Sequence, residues 1–301
     1  MRRQAALKKI IPMTTDIFVF DRKSVRIKRK RAATHLTDHG FLFDWSLKQL
    51  THRLEDIKRE FPTALQIGLR SQNTLENRYG IETLYTLDSA PALSPHILAE
   101  EDLLPFERSS FDLIYSALNL HTVNDLPGAL AQMKNCLKPD GLFIAAMLGG
   151  ETLYELRRIL QQAELETLSG QSPRVAPFAD MPQMGNLMQR AGFNLPVIDS
   201  EKITVTYDNI FKLMKDLRFM GETNTLEARY NKFTPRSFFA RADELYKQYF
   251  SETDGKIIAT FEVIFLIGWA PHESQQKPLR PGSAKTRLAD ALQTTEGKLP
   301  C

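Results

Sequence analysis

Between Phe111 and Gly150 the hydrophobic positions change their period twice. Phe111–Ala117 is a short apolar run rich in strand formers, bounded by Ser109-Ser110 and Asn119. From Asp125 to Leu137 the apolar residues Leu126, Ala129, Leu130, Met133 and Leu137 recur at helical spacing. Lys138-Pro139-Asp140-Gly141 is a turn by composition, because Pro presets φ and Gly accepts a positive φ. Leu142–Leu148 is a second apolar run. Strand, helix, turn and strand predict a βαβ unit with two buried parallel strands and a right-handed connection.

The same reading extends along the chain. Phe41–Phe61 carries Phe43, Leu47, Leu50, Leu54 and Ile57 on one face and predicts a helix. Thr63–Leu69 and Ile81–Leu87 read as strands, the second ending in Asp88, with a helix over Ser71–Tyr79 between them and a short strand at His96–Leu98 after them. Thr152–Leu168 and Met181–Ala191 read as helices separated by the loop Ser169–Asp180, with Gly192 at a helix C-cap. Leu195–Tyr207 alternates as a strand does, Asn209–Met220 and Pro235–Phe250 are helical, and Lys256–Trp269 is a last strand. Asp21–Arg31 has only Val25 and Ile27 as apolar positions, too few to define a helical face. Strand–helix alternation predicts an α/β, doubly wound, mostly parallel sheet, with a helical insertion over about residues 208–250 capping one end. Residues 1–40 form a basic arm, 41–270 the domain, and 271–301 a polar tail.

Composition adds compartment and partners. Hydrophobic content of 43% and charged content of 25% in 301 residues are ordinary for a globular chain. Cys136 and Cys301 cannot build a disulfide framework or a four-thiolate zinc site, which suits a reducing compartment. The net charge of +3 conceals an asymmetry. Residues 1–31 carry eleven Lys/Arg against Asp16 and Asp21, and the rest of the chain is mildly acidic. Such an arm suits an acidic protein partner or peripheral contact with anionic lipid, and no specific nucleic-acid signal accompanies it. Met1–Met13 is basic and acid-free, as a mitochondrial presequence is, although short and poor in serine. No segment reaches the roughly 18 apolar residues of a membrane span.

In open α/β sheets ligands lie beyond the carboxyl ends of the strands. The candidates are therefore Gly68 after the first strand, Asp88 after the second, the acidic run Glu100-Glu101-Asp102 after the third, and Ser116, Asn119 and His121 after the fourth. An acid some twenty residues past a strand-end glycine is the usual partner of a ribose hydroxyl, which assigns Asp88. His121 is the candidate base or substrate-side residue, and Arg174 a candidate anion partner. His272-Glu273 lacks the tight spacing of a metal site, so no metal is expected.

This layout resembles the class I S-adenosylmethionine-dependent methyltransferase fold, on Leu84–Asp88, Leu104-Pro105-Phe106, Phe111–Ile114 and Leu137–Gly141. Over almost the whole chain it is similar to the methyltransferase-like assembly factors of respiratory complex I. The segments that carry this are Val19–Arg22, Asn119–His121 with Asp125–Pro127, Gly149–Arg157, Ser172–Phe178, Met220–Asn224, and Gly268-Trp269 with His272–Ser274. The resemblance implies S-adenosylmethionine as cofactor, Asp88 on its ribose side and Glu100 on its adenine side, and a protein partner, a complex I subunit. It also implies methyl transfer or arginine hydroxylation of that partner, in a bacterial cytoplasm or a mitochondrial matrix. One stretch departs from the pattern. Where the superfamily has an acid followed by Gly-x-Gly-x-Gly, this chain has Gln66, Gly68, Arg70 and Gln72. The glycines let backbone approach the ligand. Arg70 brings a long cationic side chain to the place of a sulfonium. Two other functions follow from that departure and from biotin-pathway relatives: a non-catalytic scaffold with an eroded cofactor site, and a small-molecule or acyl-carrier O-methyltransferase.

Overall fold

The structure, a computed structural model, describes residues 18–71, 73–168, 170–276, 282–283 and 286–294. The arm up to residue 17, with its presequence-like composition, and Gln72 lie outside the described residues. A first unit runs through Pro271 and a second begins at His272. In the second, Leu288–Ala291 is a single helical turn.

Three helices precede the sheet: α1 Arg22–Ala32, α2 Leu36–His39 and α3 Phe41–Glu55. Then come β1 Thr63–Ile67, β2 Thr83–Asp88, β3 Ile97–Leu98 and β4 Phe111–Ala117, followed by α4 Leu126–Cys136 and β5 Leu137–Leu148. The last part holds α5 Tyr154–Thr167, α6 Met181–Arg190, β6 Asn194–Tyr207, α7 Ile210–Met220, α8 Arg236–Tyr249 and β7 Ile257–Trp269. The sheet order is β3-β2-β1-β4-β5-β7-β6. β1 to β5 are parallel, β7 runs antiparallel to β5, and β6 antiparallel to β7. This is the doubly wound, mostly parallel sheet that the alternation predicts, and β4–α4–β5 is its βαβ unit.

Alternation sends side chains to the two faces. Leu113, Tyr115 and Ala117 join one apolar cluster with α3, α5, α7 and α8, and Ile114 joins the other with α4 and α6. Helix starts are chemically marked. Asp125, Asp180 and Asn209 each accept a backbone N–H of the following turn, and Asp180 and Gln183 form a reciprocal capping box.

Four local readings differ from the pattern. Ser71 and residues 73–79 are not helical. Ser71 and Thr74 hydroxyls take the N–H groups of Asn73 and Glu76, and Asn77 and Tyr79 have positive φ, so side chains outcompete the helix for the backbone. The helix from Phe41 stops at Glu55, because the chain turns back for Phe61 N–H to reach Tyr79 O. The Lys138–Gly141 turn is absorbed into β5, whose register shifts between Phe111 and Leu113. Lastly, α1 is a helix. Its buried stripe is Val25, Arg29 and Ala32, and an arginine in the middle of it hides the period.

Candidate functional site

The loops after β1, β2, β3 and β4 meet at one edge of the sheet. Gly68, at φ 86°, lies so tightly under Asn119 that a Cβ there would be 2.5 Å from the Asn119 carboxamide carbon. Asp88 is fully buried; its carboxylate accepts the N–H groups of Leu69 (3.1 Å) and Ala90 (2.8 Å). Ser116 Oγ donates to Ile67 O at 2.9 Å, tying β4 to β1. Glu100 is half-buried, and Glu101 beside it is fully buried.

α1 lies over these acids and satisfies them. Asp21 caps the helix by accepting Ser24 N–H, and its carboxylate is held by Arg229 at 2.7 Å. Val19 and Phe20 are pinned in turn by Asn124 Oδ1. From that anchorage Arg22 donates to both Glu100 and Glu101. One face of the helix further along carries Arg29, which donates to Glu101 at 2.5 Å, to Ser89 Oγ at 3.3 Å and to Thr122 Oγ1 at 3.2 Å, and lies 3.7 Å from Asp88. Asn119 Nδ2 completes the shell of Glu101 at 2.7 Å. Burial opposes the charge of Glu101, but Arg29 and Arg22 overcome it and lower its pKa to about 2. Burial likewise opposes the charge of Arg29, and Glu101 and Asp88 reverse this, so its pKa is raised.

A second arginine fills the other end of the crevice. Arg70, buried, stacks its guanidinium on Phe43 at 4.1 Å from the ring centre and donates to Leu118 O (3.3 Å), Met220 O and the Glu222 carboxylate. Glu222 is delivered by the end of α7, where Gly221 at φ 80° turns the chain and Glu222 N–H closes on Leu217 O. Burial disfavours the Glu222 charge, and Arg70 and His121 together hold its pKa well below the usual carboxylate range. Gln66 is neutral and satisfied: it donates to Gly68 O (3.1 Å) and accepts from Tyr115 OH (2.8 Å).

S-adenosylmethionine, the cofactor that the fold implies, carries cationic sulfur and ammonium groups and needs free hydrogen-bonding acids for its ribose and adenine. The residues present do not fit it as they stand. Arg70 already places a cation among the carbonyls and carboxylate at the β1 and β4 ends. Asn119 covers Gly68, and the acids of the β2 and β3 ends are taken by backbone N–H groups and by α1. One buried acceptor, Asn119 Oδ1, is left without a partner.

Beside the crevice lies an open cavity of about 350 Å³, walled by α5, α7, α8 and the loops 172–178 and 222–230. His121 stands at its junction with the crevice: Nε2 is 3.1 Å from Glu222, and the buried Nδ1 has no partner. Arg174 also lines the cavity, but its guanidinium is spent on Glu164 (2.9 Å) and Thr234 Oγ1 (3.3 Å) and stacks on Phe238. Glu155 and Thr152 of the Gly149–Arg157 segment brace β7 through Thr260 and Glu262, which is architecture rather than chemistry. In the second unit, His272 Nδ1 pairs with Ser274 Oγ at 2.7 Å. Among the described residues no three His, Cys, Asp or Glu side chains gather as a metal set.

The structure thus brings Gly68, Asp88, Glu100, Ser116 and His121 to one edge. Arg29, Arg22, Glu222 and the role of Asn119 are not marked by the hydrophobic pattern or by strand-end position alone. The available signal was the pairing of Val19–Arg22, Asn119–His121 and Met220–Asn224, distant segments that the fold joins through Asn124, Glu101 and Glu222.

Comparison with known proteins agrees with the fold. Residues 78–145 match the model of a family described as "Methyltransferase domain". The YcgJ protein of Bacillus subtilis, a solved structure, superposes with a TM-score of 0.50 at 14% identity, over 75% of this chain and 99% of that one. Malonyl-[acyl-carrier protein] O-methyltransferase of Methylovorus sp. (strain MP688) is 30% identical over 86% of this chain and 92% of its own length. The mitochondrial arginine-hydroxylase NDUFAF5 of Danio rerio is 39% identical over 287 residues, 90% of this chain and 89% of its own length. On the class I S-adenosylmethionine-dependent methyltransferase fold, the chain belongs to the methyltransferase-like assembly-factor family of respiratory complex I.

Proposed function

We propose that this chain serves complex I assembly by engaging a partner protein while its own arginines fill its methyl-donor crevice. The observation that carries this is the pair Arg29 and Arg70, each buried, each bonded to the acids and carbonyls that a bound donor would use. Arg70 supplies internally the positive charge that a sulfonium would otherwise bring. The outer face of α1, with Lys23, Arg26, Ile27, Lys30 and Arg31 exposed, supplies a basic surface for an acidic partner or for anionic lipid at a membrane. Such contact weakens with salt. No described helix is long and apolar enough to cross a membrane. The cytoplasm of a bacterium, or a mitochondrial matrix, is the compartment this role requires.

A second reading is modification of that partner, by methyl transfer or by the arginine hydroxylation that the relatives' name states. The observation favouring it is that Asp88, Glu100 and Glu101 all remain, with α1 held over the acidic pair by ion pairs of the kind a partner could compete for. The test is affinity purification of the full chain from its own cells at low salt, with mass spectrometry of the recovered complex I subunit. The first reading expects recovery that falls steeply with added salt, and a subunit whose mass is the same in cells lacking the chain. A subunit mass gain that depends on the chain favours the second. Salt-insensitive recovery, or no recovery of a complex I subunit, contradicts the first.

A further inference from the structure

The 350 Å³ cavity has a chemistry of its own. Its walls are apolar over Leu156, Leu160, Phe178, Met214, Leu217 and Phe239. At one side stands Lys28, whose ammonium, among the described residues, reaches only the carbonyl oxygens of Thr223 (3.4 Å) and Asn224 and makes no ion pair within 4.0 Å. The other charges at the cavity are matched in pairs. Arg229 has Asp21, Arg174 has Glu164, and Glu222 has Arg70. Lys28 is therefore the charge that lacks a counter-charge at hydrogen-bonding distance, and the buried Nδ1 of His121, also part of the wall, is a polar atom without a partner. A volume of this size suits a small ligand. An uncompensated ammonium over an apolar chamber selects one that is anionic at one end and aliphatic beyond it.

We propose that this cavity is a binding site for a monocarboxylate with a medium aliphatic chain, its carboxylate on Lys28 and its chain between α5, α7 and α8. The site adjoins the crevice that Arg29 and Arg70 fill, with Glu222 and His121 between them, and the proposal depends on neither reading of that crevice.

Lys28 also gives the site a pH dependence. Burial, and then the neighbouring Arg229, lower its pKa to about 8, with Asp21 and Glu222 acting in the opposite sense and Arg31 in the same one. The other titratable or charged groups facing the chamber are His121, Arg174 and Tyr230. Below about 8 the ammonium is charged and the carboxylate is held; above it the attraction fades.

The experiment is calorimetric titration of the full chain with hexanoate, octanoate and decanoate at neutral pH. Saturable binding at one site per chain is expected, with affinity rising about fourfold for each added methylene. Octanol and octyltrimethylammonium, the same chain without the negative charge, should bind at least about tenfold more weakly than octanoate. Lys28→Met should lose about tenfold or more, while Lys30→Met, exposed on the same helix, should bind as the parent does. Phe239→Ala should flatten the chain-length series, and near-identical melting temperatures for the Lys28 and Lys30 variants would show that folding is not the cause. No saturable binding, equal binding of octanol, or a Lys28→Met variant that binds octanoate unchanged each overturns the proposal. Octanoate attached to a carrier through a thioester has no carboxylate. Binding of an octanoyl carrier as tight as free octanoate would likewise overturn it.

Discussion

Two regions share one edge of the sheet and are finished in opposite ways. In the crevice at the ends of β1, β2 and β4, every carboxylate meets an N–H donor and both buried arginines meet an acid. In the cavity alongside, among the described residues, Lys28 has carbonyls and no ion pair, and His121 Nδ1 has no partner. Buried charges that are paired and hydrogen-bonded stay charged at little net cost, whereas removal of one partner strands the other. The crevice, whose charges are met by its own chain and whose one orphan among the described residues is the neutral Asn119 Oδ1, has little need of a charged ligand; a region that keeps an ammonium without an ion pair has that need. The contrast falls between adjacent residues of a single helix: Lys28 faces the cavity and Arg29 the crevice.

The largest expected effect tests that adjacency. Arg29→Met should lower unfolding free energy by about 3–5 kcal/mol, because it leaves Glu101 buried with its main counter-charge gone. Lys28→Met should stay within about 1 kcal/mol of the parent, since it removes a half-buried ammonium that has no ion pair. Urea denaturation of both variants checks the pair, and equal losses would erase the distinction.

Acid titration probes the same cluster. The pKa of Glu101 is lowered from 4.5 to about 2 by its arginines, against its burial. A carboxylate whose folded pKa lies below its unfolded one stabilises fully above the unfolded value and loses that contribution as pH falls. Stability should therefore decline between about 4.5 and 2, and Glu101→Gln should flatten that part of the profile.

Glu222→Gln should cost about 3 kcal/mol, because Arg70 remains buried on Phe43 with only carbonyl acceptors. A melting temperature unchanged from the parent would mean that Arg70 finds water. Gly68→Ala should cost about 1–3 kcal/mol, from the positive φ and from the 2.5 Å approach to Asn119. Pairing it with Asn119→Ala should recover part of the loss in a double-mutant cycle. Smallest is Arg26→Met. Its guanidinium reaches Glu100 at 3.4 Å from a half-exposed side chain, and a change below about 1 kcal/mol is expected.

Much of this architecture was legible in the chain. The period change from Phe111 to Leu148 identifies β4, α4 and β5, and strand-end positions locate Gly68, Asp88, Glu100, Ser116 and His121 at one edge. What escaped the pattern escaped for physical reasons. α1 buries an arginine where periodicity looks for an apolar residue, and its stability comes from Glu101 some seventy residues away. Residues 71–79 have helical spacing, but their hydroxyls capture the backbone first. Replacement of the second glycine by Arg70 announces a changed loop, yet the residues that receive it come from two distant segments, Phe43 in α3 and Met220 with Glu222 at the end of α7.

On the proposed function, Arg29 and Arg70 stand where a methyl donor would. Calorimetric titration of the full chain with S-adenosylmethionine at neutral pH addresses it most directly. The structure predicts no saturable heat up to millimolar ligand. Saturable binding by the unaltered chain, lost in Asp88→Ala, would contradict it.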